Sequence, residues 1–339
     1  MMSQSTGMAE SDIEQTGGPR PEPGQQAASQ PIAVGYKSDP VRGAVWSEVF
    51  RSKLPQASFR MWPEIGAGET VEYLIAWLPP PELGRVFPNL KVLFSIGAGI
   101  DQLNLDAIPP HVTIVRMLDP DLTRGMVEYA TFGVLALHRD IPHYVSDQQA
   151  GHWSYRRLQR AAERRVGIMG LGILGQALAE SLKPFGFPLR GWSASPKTIE
   201  GMDTFAGPEQ FGAFLAGCDI LVCLLPLTDA TRGILCRATF ERLPMGARLL
   251  NAARGGHLIE DDLIAALASG RIDCAILDVL QSEPPAEDHA LLRHPRVIVT
   301  PHIASATLPQ AAAERVCGLI ERHRSGLPME GVIDRRRGY

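Results

Sequence analysis

The segment Arg165-Val-Gly-Ile-Met-Gly-Leu-Gly-Ile-Leu-Gly175 sets an apolar strand directly before Gly170-x-Gly172-x-x-Gly175 and a helical pattern directly after it. Each glycine has its own reason. The first admits the tight turn out of the strand, the second leaves the backbone open to an approaching pyrophosphate, and the third lets helix and strand pack closely. Unpaired N–H groups at the start of a helix near Ile173 would then face the phosphates, which makes Gly170, Leu171, Gly172, Ile173, Leu174 and Gly175 the expected dinucleotide-binding segment.

The surrounding pattern supports that reading. Strands are expected at 165–169, 189–193, 220–224, 248–251, 274–278 and 297–300, with helical patterns such as 176–183 and 262–268 between them. This is the rhythm of a doubly wound α/β sheet. An earlier set of short apolar runs, at 32–36, 73–77, 92–96 and 112–115, predicts a smaller parallel α/β unit. Residues 126–138 are apolar around most of a helical circumference, as in a helix buried in a core or between subunits. Residues 308–324 form a last helix with Ala312, Val316, Leu319 and Ile320 on one face. Residues 1–30 are rich in Gly, Pro, Gln, Ser and Glu and are expected to be a disordered tail.

Composition narrows the partners. With 45% hydrophobic and 21% charged residues over 339 positions, the chain suits a globular protein with two domains. A formal net charge of -4 offers no general attraction to nucleic acid or an anionic membrane. A small-molecule partner is expected. No apolar stretch is long enough to cross a bilayer and the N-terminus lacks the pattern of a secretion signal. The five cysteines (Cys218, Cys223, Cys236, Cys274, Cys317) lack metal-type pairing and read as reduced core thiols of a cytoplasmic protein; no metal site is expected.

An acidic residue about 20 positions beyond the glycines usually holds the ribose 2′-OH of NAD. Here Gly191-Trp-Ser-Ala-Ser-Pro-Lys197 has none. Ser193 and Ser195 could donate to a 2′-phosphate and Lys197 could supply charge, so NADP(H) is favoured. The absence of arginine, the better phosphate fork, leaves NAD(H) possible.

Three later residues carry chemistry. Arg254, in Leu249-Leu-Asn-Ala-Ala-Arg-Gly-Gly256, follows a strand and could grip a carboxylate with two parallel hydrogen bonds. Glu283 lies in the loop beyond the next strand, and His302 follows the last one. A protonated imidazole can donate to a carbonyl oxygen as hydride reaches its carbon, and a neighbouring carboxylate favours the charged ring. Arg254, Glu283 and His302 are therefore the expected catalytic set, acting on a small 2-oxo or 2-hydroxy acid.

In these residues the chain resembles the D-isomer-specific 2-hydroxyacid dehydrogenase family, and within it the glyoxylate/hydroxypyruvate reductase A type. The likeness rests on Ser95-Ile-Gly-Ala-Gly-Ile-Asp101, Met126-Val-Glu-Tyr-Ala130, the glycine fingerprint, Phe187-Pro-Leu-Arg-Gly-Trp-Ser193, Leu224-Leu-Pro226, Leu250-Asn-Ala-Ala-Arg-Gly255, Leu277-Asp-Val279, Glu283-Pro284, Thr300-Pro-His302 and Ile333-Asp-Arg-Arg-Arg-Gly-Tyr339. It implies two Rossmann-like, doubly wound domains: a substrate domain from residues 31–118 and 305–339, and an inserted dinucleotide-binding domain at 119–304. It implies reduction of glyoxylate or hydroxypyruvate with NADPH. It places Leu225, Pro226 and Asp278 beside the cofactor, the Ala98 and Gly99 N–H groups on the substrate carboxylate, and Trp46 at the pocket wall or in the core. It also implies a homodimer built on the helix near Met126, with Trp153 reaching the partner or packing internally. The subgroup's usual arginine is missing, with Ala194 and Pro196 in its loop. A nucleotide-sensing, corepressor-like protein and a reductase of bulkier 2-oxo acids such as phenylpyruvate stay open as alternatives.

Overall fold

Continuous apolar runs become strands here because both faces of each sheet are covered. The computed structural model describes residues 32–335 except Ala98, Asp101, Asp119 and Ala306. The expectations for residues 1–30, Ala98 and 336–339 lie outside them. The first sheet contains β1 (Ile32–Lys37), β2 (Ala57–Met61), β3 (Val71–Ala76), β4 (Val92–Ser95) and β5 (Thr113–Arg116), all parallel, in the order β2-β1-β3-β4-β5. Helices α1 (Pro40–Lys53) and α2 (Leu83–Val86) connect its strands. Asp39 caps α1 by accepting from the Val41 N–H at 2.9 Å, and Pro40 stands where its missing N–H costs nothing.

Helix α3 (Pro120–His138) leads away from that sheet and α4 (Ile141–Gln149) follows it. The second sheet then builds from β6 (Val166–Met169), α5 (Ile173–Leu182), β7 (Leu189–Ser193), β8 (Met202–Ala206), α6 (Phe211–Leu215), β9 (Ile220–Cys223), α7 (Arg237–Phe240), β10 (Ala247–Asn251), α8 (Glu260–Ala268), β11 (Ile272–Leu277) and β12 (Val297–Val299). Its order is β12-β11-β10-β9-β6-β7-β8, again wholly parallel. The strand order reverses between β6 and β9. Ligands in such sheets bind outside the carboxyl ends at that reversal, and the glycine turn lies there.

The chain returns to the first sheet through α9 (Pro309–Arg324), whose Val316, Leu319 and Ile320 share a core with Trp46, Phe50 and Tyr73. The outgoing and returning segments are tied together: the Ser305 hydroxyl donates to the Leu122 carbonyl at 2.6 Å, and Thr307 donates to Ile96 O at 2.9 Å. Beyond α9, Val332 bridges antiparallel to Val115, and the Arg335 guanidinium donates to the carbonyls of Leu105, Ile108, Pro109 and Val112 at 2.8–3.2 Å. Among the described residues no helix is long and apolar enough to cross a membrane.

Three differences from the sequence expectation have physical causes. Strands β2 and β8 are absent from the expectation; both are edges whose sequences, Ala-Ser-Phe-Arg-Met and Met-Asp-Thr-Phe-Ala, interleave polar with apolar residues and make no apolar run. Helix α3 starts six residues before the apolar stretch at Met126, because its first turns carry Asp121 and Arg124 in an i,i+3 pair at 2.9 Å. Trp46 has no exposed surface and packs between Tyr36 and Phe50, with ring centroids 5.6 and 6.3 Å away. It fills the core, and the pocket-wall reading is corrected accordingly.

The cysteines are free thiols, and burial pushes Cys218, Cys223, Cys274 and Cys317 up to about 12. Cys274 lies near His143 and Asp273 with ligand atoms within 4.8 Å of one another. The positive charge there comes from protein: Arg248 pairs with Asp273 at 3.0 Å and with Asp140, and His143 Nε2 meets Asp273 at 3.1 Å. This ion-pair cluster fixes the α3–α4 corner to the amino ends of β10 and β11.

A second clamp joins the starts of β6 and β9. Arg165 donates to Asp219 from its backbone N–H at 2.7 Å, from Nε at 3.0 Å and from Nη2 at 2.9 Å. Burial works to raise the Asp219 carboxyl, but the Arg165 hydrogen bonds and charge outweigh it and hold it below the ordinary value. A lowered carboxyl stabilises the fold above its unfolded value and loses that contribution as pH falls through its folded value. Denaturant unfolding from pH 7 to pH 2 is thus expected to show stability declining below about pH 4. Asp219→Asn lowers stability at pH 7 and makes the decline shallower; an unaltered acid limb in the variant refutes the assignment.

Candidate active site

The carboxyl ends of β10, β11 and β12 are neighbours, and each releases one of the expected catalytic residues. After β10, Asn251 shapes the turn: its side-chain oxygen accepts from the Ala253 N–H at 3.2 Å and its amide donates to Arg254 O at 3.2 Å. Arg254 leaves this turn half-buried and in extended conformation, with Nη1 donating to Ala253 O at 2.7 Å. The following Gly255 has no room for a side chain. A Cβ there would lie 1.9 Å from the carbonyl oxygen of Leu280, in the loop after β11. His257, wholly buried, places its ring nitrogens 3.1 and 3.2 Å from the carbonyls of Arg254 and Pro226. The sequence reading did not single it out, since a lone histidine in a glycine-rich loop carries no distinguishing pattern.

The same Leu280 donates its N–H to Glu283 Oε1 at 3.1 Å, and Glu283 Oε2 lies 2.7 Å from His302 Nδ1. Backbone contact of Gly255 with Leu280 therefore connects the arginine turn to the acid and the imidazole. All three predicted catalytic residues meet on one edge. The Glu283–Pro284 peptide is cis. A carboxylate can only accept, so Nδ1 carries the proton toward Glu283 and Nε2 is the ring atom left to face a reactant. Both side chains are about one-third exposed, 35% for His302 and 38% for Glu283, so they are reachable from outside.

His302 sits at φ 55°, a left-handed conformation uncommon outside glycine. Its N–H donates to the carbonyls of Asp278 and Thr300 at 2.9 and 3.0 Å. Asp278 was expected beside the cofactor, but it is only 1% exposed and its carboxylate is engaged inside. Oδ1 accepts from Thr300 Oγ1 at 2.6 Å and from the Ile303 N–H at 2.8 Å, while Oδ2 accepts from the Ala304 N–H at 2.8 Å. Its observed work is to support the turn that carries His302. That support escaped the sequence reading, because an aspartate after a strand reads the same whether it faces a ligand or a backbone.

At the glycine turn each expectation has a measurable counterpart. Gly170 has φ 102°, and a Cβ would approach Leu224 O at 2.8 Å. A Cβ on Gly175 would lie 1.9 Å from Gly170 O, whereas one on Gly172 would meet nothing within 4 Å. The open side of Gly172 and the start of α5, which no side chain caps, together fit a phosphate group. Gly172 and Ile173 are exposed, Leu174 is half-buried, and Leu171 turns inward against Gly191. Leu225 is 8% exposed and Pro226 is exposed beside it.

Beyond β7, Ser195 and Lys197 are exposed, but Ser193 is nearly buried and its hydroxyl donates to Ser195 O at 2.8 Å. Ser193 therefore shapes the loop, and its expected donation to a 2′-phosphate is corrected. On the first sheet, Gly99 is half-buried past β4, with its carbonyl 3.4 Å from the Ser95 hydroxyl. Gly97 before it abuts Trp77, where a Cβ would lie 2.6 Å from the ring.

A glycine turn at the reversal of a doubly wound sheet, with Arg254, Glu283 and His302 on neighbouring strand ends, defines a dinucleotide-dependent oxidoreductase. The sequence matches the family described as D-isomer specific 2-hydroxyacid dehydrogenase, NAD binding domain, over residues 131–304. It is similar to the D-isomer specific 2-hydroxyacid dehydrogenase of Xanthobacter autotrophicus Py2, solved with NADPH and MES: 39% identity, 91% of this chain and 99% of that one, TM-score 0.85. It is also similar to the NADPH-dependent glyoxylate/hydroxypyruvate reductase of Sinorhizobium meliloti, solved with NADP and sulfate: 35% identity, 92% and 100% coverage, TM-score 0.84. A probable 2-hydroxyacid dehydrogenase of Rhizobium etli CFN 42, solved with NADP, HEPES and L(+)-tartaric acid, shares 36% identity over 91% and 99%, with TM-score 0.82. The chain belongs to the D-isomer specific 2-hydroxyacid dehydrogenase family.

The glycine geometry separates folding from binding. Gly172→Val, pointing into open space, is expected to leave the thermal midpoint nearly unchanged while weakening nicotinamide dinucleotide binding by about tenfold or more, or about 1.4 kcal/mol. Gly175→Val collides with backbone and lowers stability first. Fluorescence titration beside thermal unfolding reads both; a Gly172→Val protein with unaltered affinity contradicts the assigned phosphate side.

Proposed function

We propose that this protein reduces small 2-oxo acids, glyoxylate and hydroxypyruvate foremost, to glycolate and D-glycerate with NADPH. The observation that carries the reading is the 2.7 Å contact between Glu283 and His302 on the edge shared with Arg254. When bound, the nicotinamide supplies the hydride. Arg254 holds the substrate carboxylate and polarises the neighbouring carbonyl, aided by the N–H groups of Ala98 and Gly99. His302 gives its Nε2 proton to the carbonyl oxygen as that oxygen gains charge, while Glu283 accepts from Nδ1 at 2.7 Å and keeps the ring oriented.

Residues 119–304 act as the dinucleotide-binding unit, and 31–118 with 305–339 as the substrate unit. Gly170 through Gly175, with Leu225 and Pro226, hold the cofactor. NADPH over NADH is supported by the loop of Ser195 and Lys197, which holds no acid to repel a 2′-phosphate, and by the NADP or NADPH in the Xanthobacter, Sinorhizobium and Rhizobium structures. The substrate choice is supported by the likeness to the Sinorhizobium reductase. A homodimer is supported by exposed apolar side chains that follow one another on α3, α4 and the segment after them, namely Phe132, Ile141, Val145, Trp153, Tyr155 and Leu158.

His302→Ala is expected to lower the reduction kcat by about two to four orders of magnitude with dinucleotide affinity nearly intact. Because reduction needs the imidazolium and oxidation the neutral ring, their pH profiles run in opposite directions, and parallel profiles would count against His302 as donor. Initial rates with NADPH and NADH against glyoxylate, hydroxypyruvate, pyruvate and phenylpyruvate test cofactor and substrate together. Binding of NADPH without oxidation by any of them overturns the enzyme reading. Light scattering is expected to give twice the 36.9 kDa chain mass.

A further inference from the structure

A residue in the left-handed region stays there only where its surroundings over-determine it. For His302 those surroundings can be traced outward. Residues on both sides of it, Thr300, Ile303 and Ala304, donate to the one carboxylate of Asp278, and the His302 N–H itself donates to the Asp278 carbonyl. The chain of contacts continues past that carboxylate. Thr300 Oγ1 lies 2.5 Å from the Tyr129 hydroxyl, on the helix α3 that joins the two sheets.

The direction of the chain follows from proton counting. Thr300 has one hydroxyl proton and gives it to Asp278, so its oxygen can only accept from Tyr129. Tyr129 keeps the proton it must donate: burial, the main cause, pushes its phenol up to about 12, opposed by the Thr300 hydrogen bond and aided less strongly by the charge of Asp278. Each member thus has one role. A hydroxyl at position 300 is needed twice, as donor to the carboxylate and as acceptor from the phenol.

We infer that Thr300 and Tyr129 are positioning residues for the reaction, forming with Asp278 a hydrogen-bonded chain from α3 that holds the 300–304 turn so that the His302 ring stays over Glu283. The inference rests on the reading of His302 as proton donor. Their hydrogen bonds run along the chain, from Tyr129 to Thr300 and from Thr300 to Asp278. Both lie half-buried behind the turn, and their effect is on where the imidazole stands.

The chain predicts a division between chemistry and binding, because its hydrogen bonds end on the turn of His302. In the full-length protein Thr300→Val deletes both hydrogen bonds with little change in volume. It is expected to lower kcat by about 10- to 100-fold, the scale of a misplacement near 1 Å, with KM and NADPH Kd within about twofold of wild type. Thr300→Ser, which restores the hydroxyl, is expected to return kcat to within about threefold. Tyr129→Phe removes one oxygen at the far end and lowers kcat by about three- to tenfold.

Wild-type kcat in Thr300→Val overturns the inference. So does equal impairment of Thr300→Val and Thr300→Ser, which would make side-chain shape the determinant, or a loss shared equally with NADPH affinity. Where thermal unfolding shows Thr300→Val unfolded, Tyr129→Phe decides, and an unchanged kcat there overturns the inference. His302→Gln, measured alongside, separates the two levels. Unchanged turnover in it defeats the general-acid reading, whereas its collapse beside a fully active Thr300→Val defeats the positioning chain alone.

Discussion

A carboxylate taken out of water must be surrounded by donors, and Asp278 obtains three of them from a stretch of five residues. That requirement dictates the path of the chain as it leaves β12. The backbone must turn so that the hydroxyl of Thr300 and the N–H groups of Ile303 and Ala304 all point inward, which throws the two residues between them, Pro301 and His302, outward. The left-handed backbone of His302 records the turn. Glu283 meets the ring from the adjacent loop, itself held by the Leu280 N–H, and Leu280 is in turn pressed against Gly255 beside Arg254. Arg254, Glu283 and His302 are thus far apart along the polypeptide but mechanically linked through short contacts.

The opposite edge of the same strands is organised by charge. Arg248, at the start of β10, gathers Asp140 and Asp273, and His143 completes the group. Arg165 and Asp219 do the same between β6 and β9. Removing Arg248, whose side chain is 9% exposed, is more damaging than the net value of its pairs, because the remaining carboxylates lose their counter-ion. These clusters lie at the amino ends of the strands, leaving the carboxyl ends for ligands. The sheet therefore separates these ion pairs from Arg254, Glu283 and His302 at its other edge.

Much of this was legible in the residues. The glycine turn is constrained by backbone sterics, so its three glycines could be assigned individually, and Arg254, Glu283 and His302 could be placed on one edge because each follows a recognisable strand. Edge strands β2 and β8 were not legible, since polar residues interrupt both and leave no apolar run. The hydrogen bonds that Asp278 and Ser193 make within the protein were not legible either, because they run to turns that no local pattern marks. Trp46 could be either wall or filling until its neighbours Tyr36 and Phe50 were placed. Tyr129 and Thr300 are 171 positions apart, and no local pattern joins residues so distant.

The grip of Arg335 on four carbonyls between Leu105 and Val112 gives the far end of the polypeptide a structural duty. Those oxygens belong to the connection before β5, which holds only a short 3-10 turn at Leu105–Ala107. Trimming the protein ahead of position 335, or fusing a bulky carrier close behind it, would release that connection from its clasp. The substrate-side sheet would then soften at its outer strand, so for engineering purposes the last described residues count as part of the scaffold.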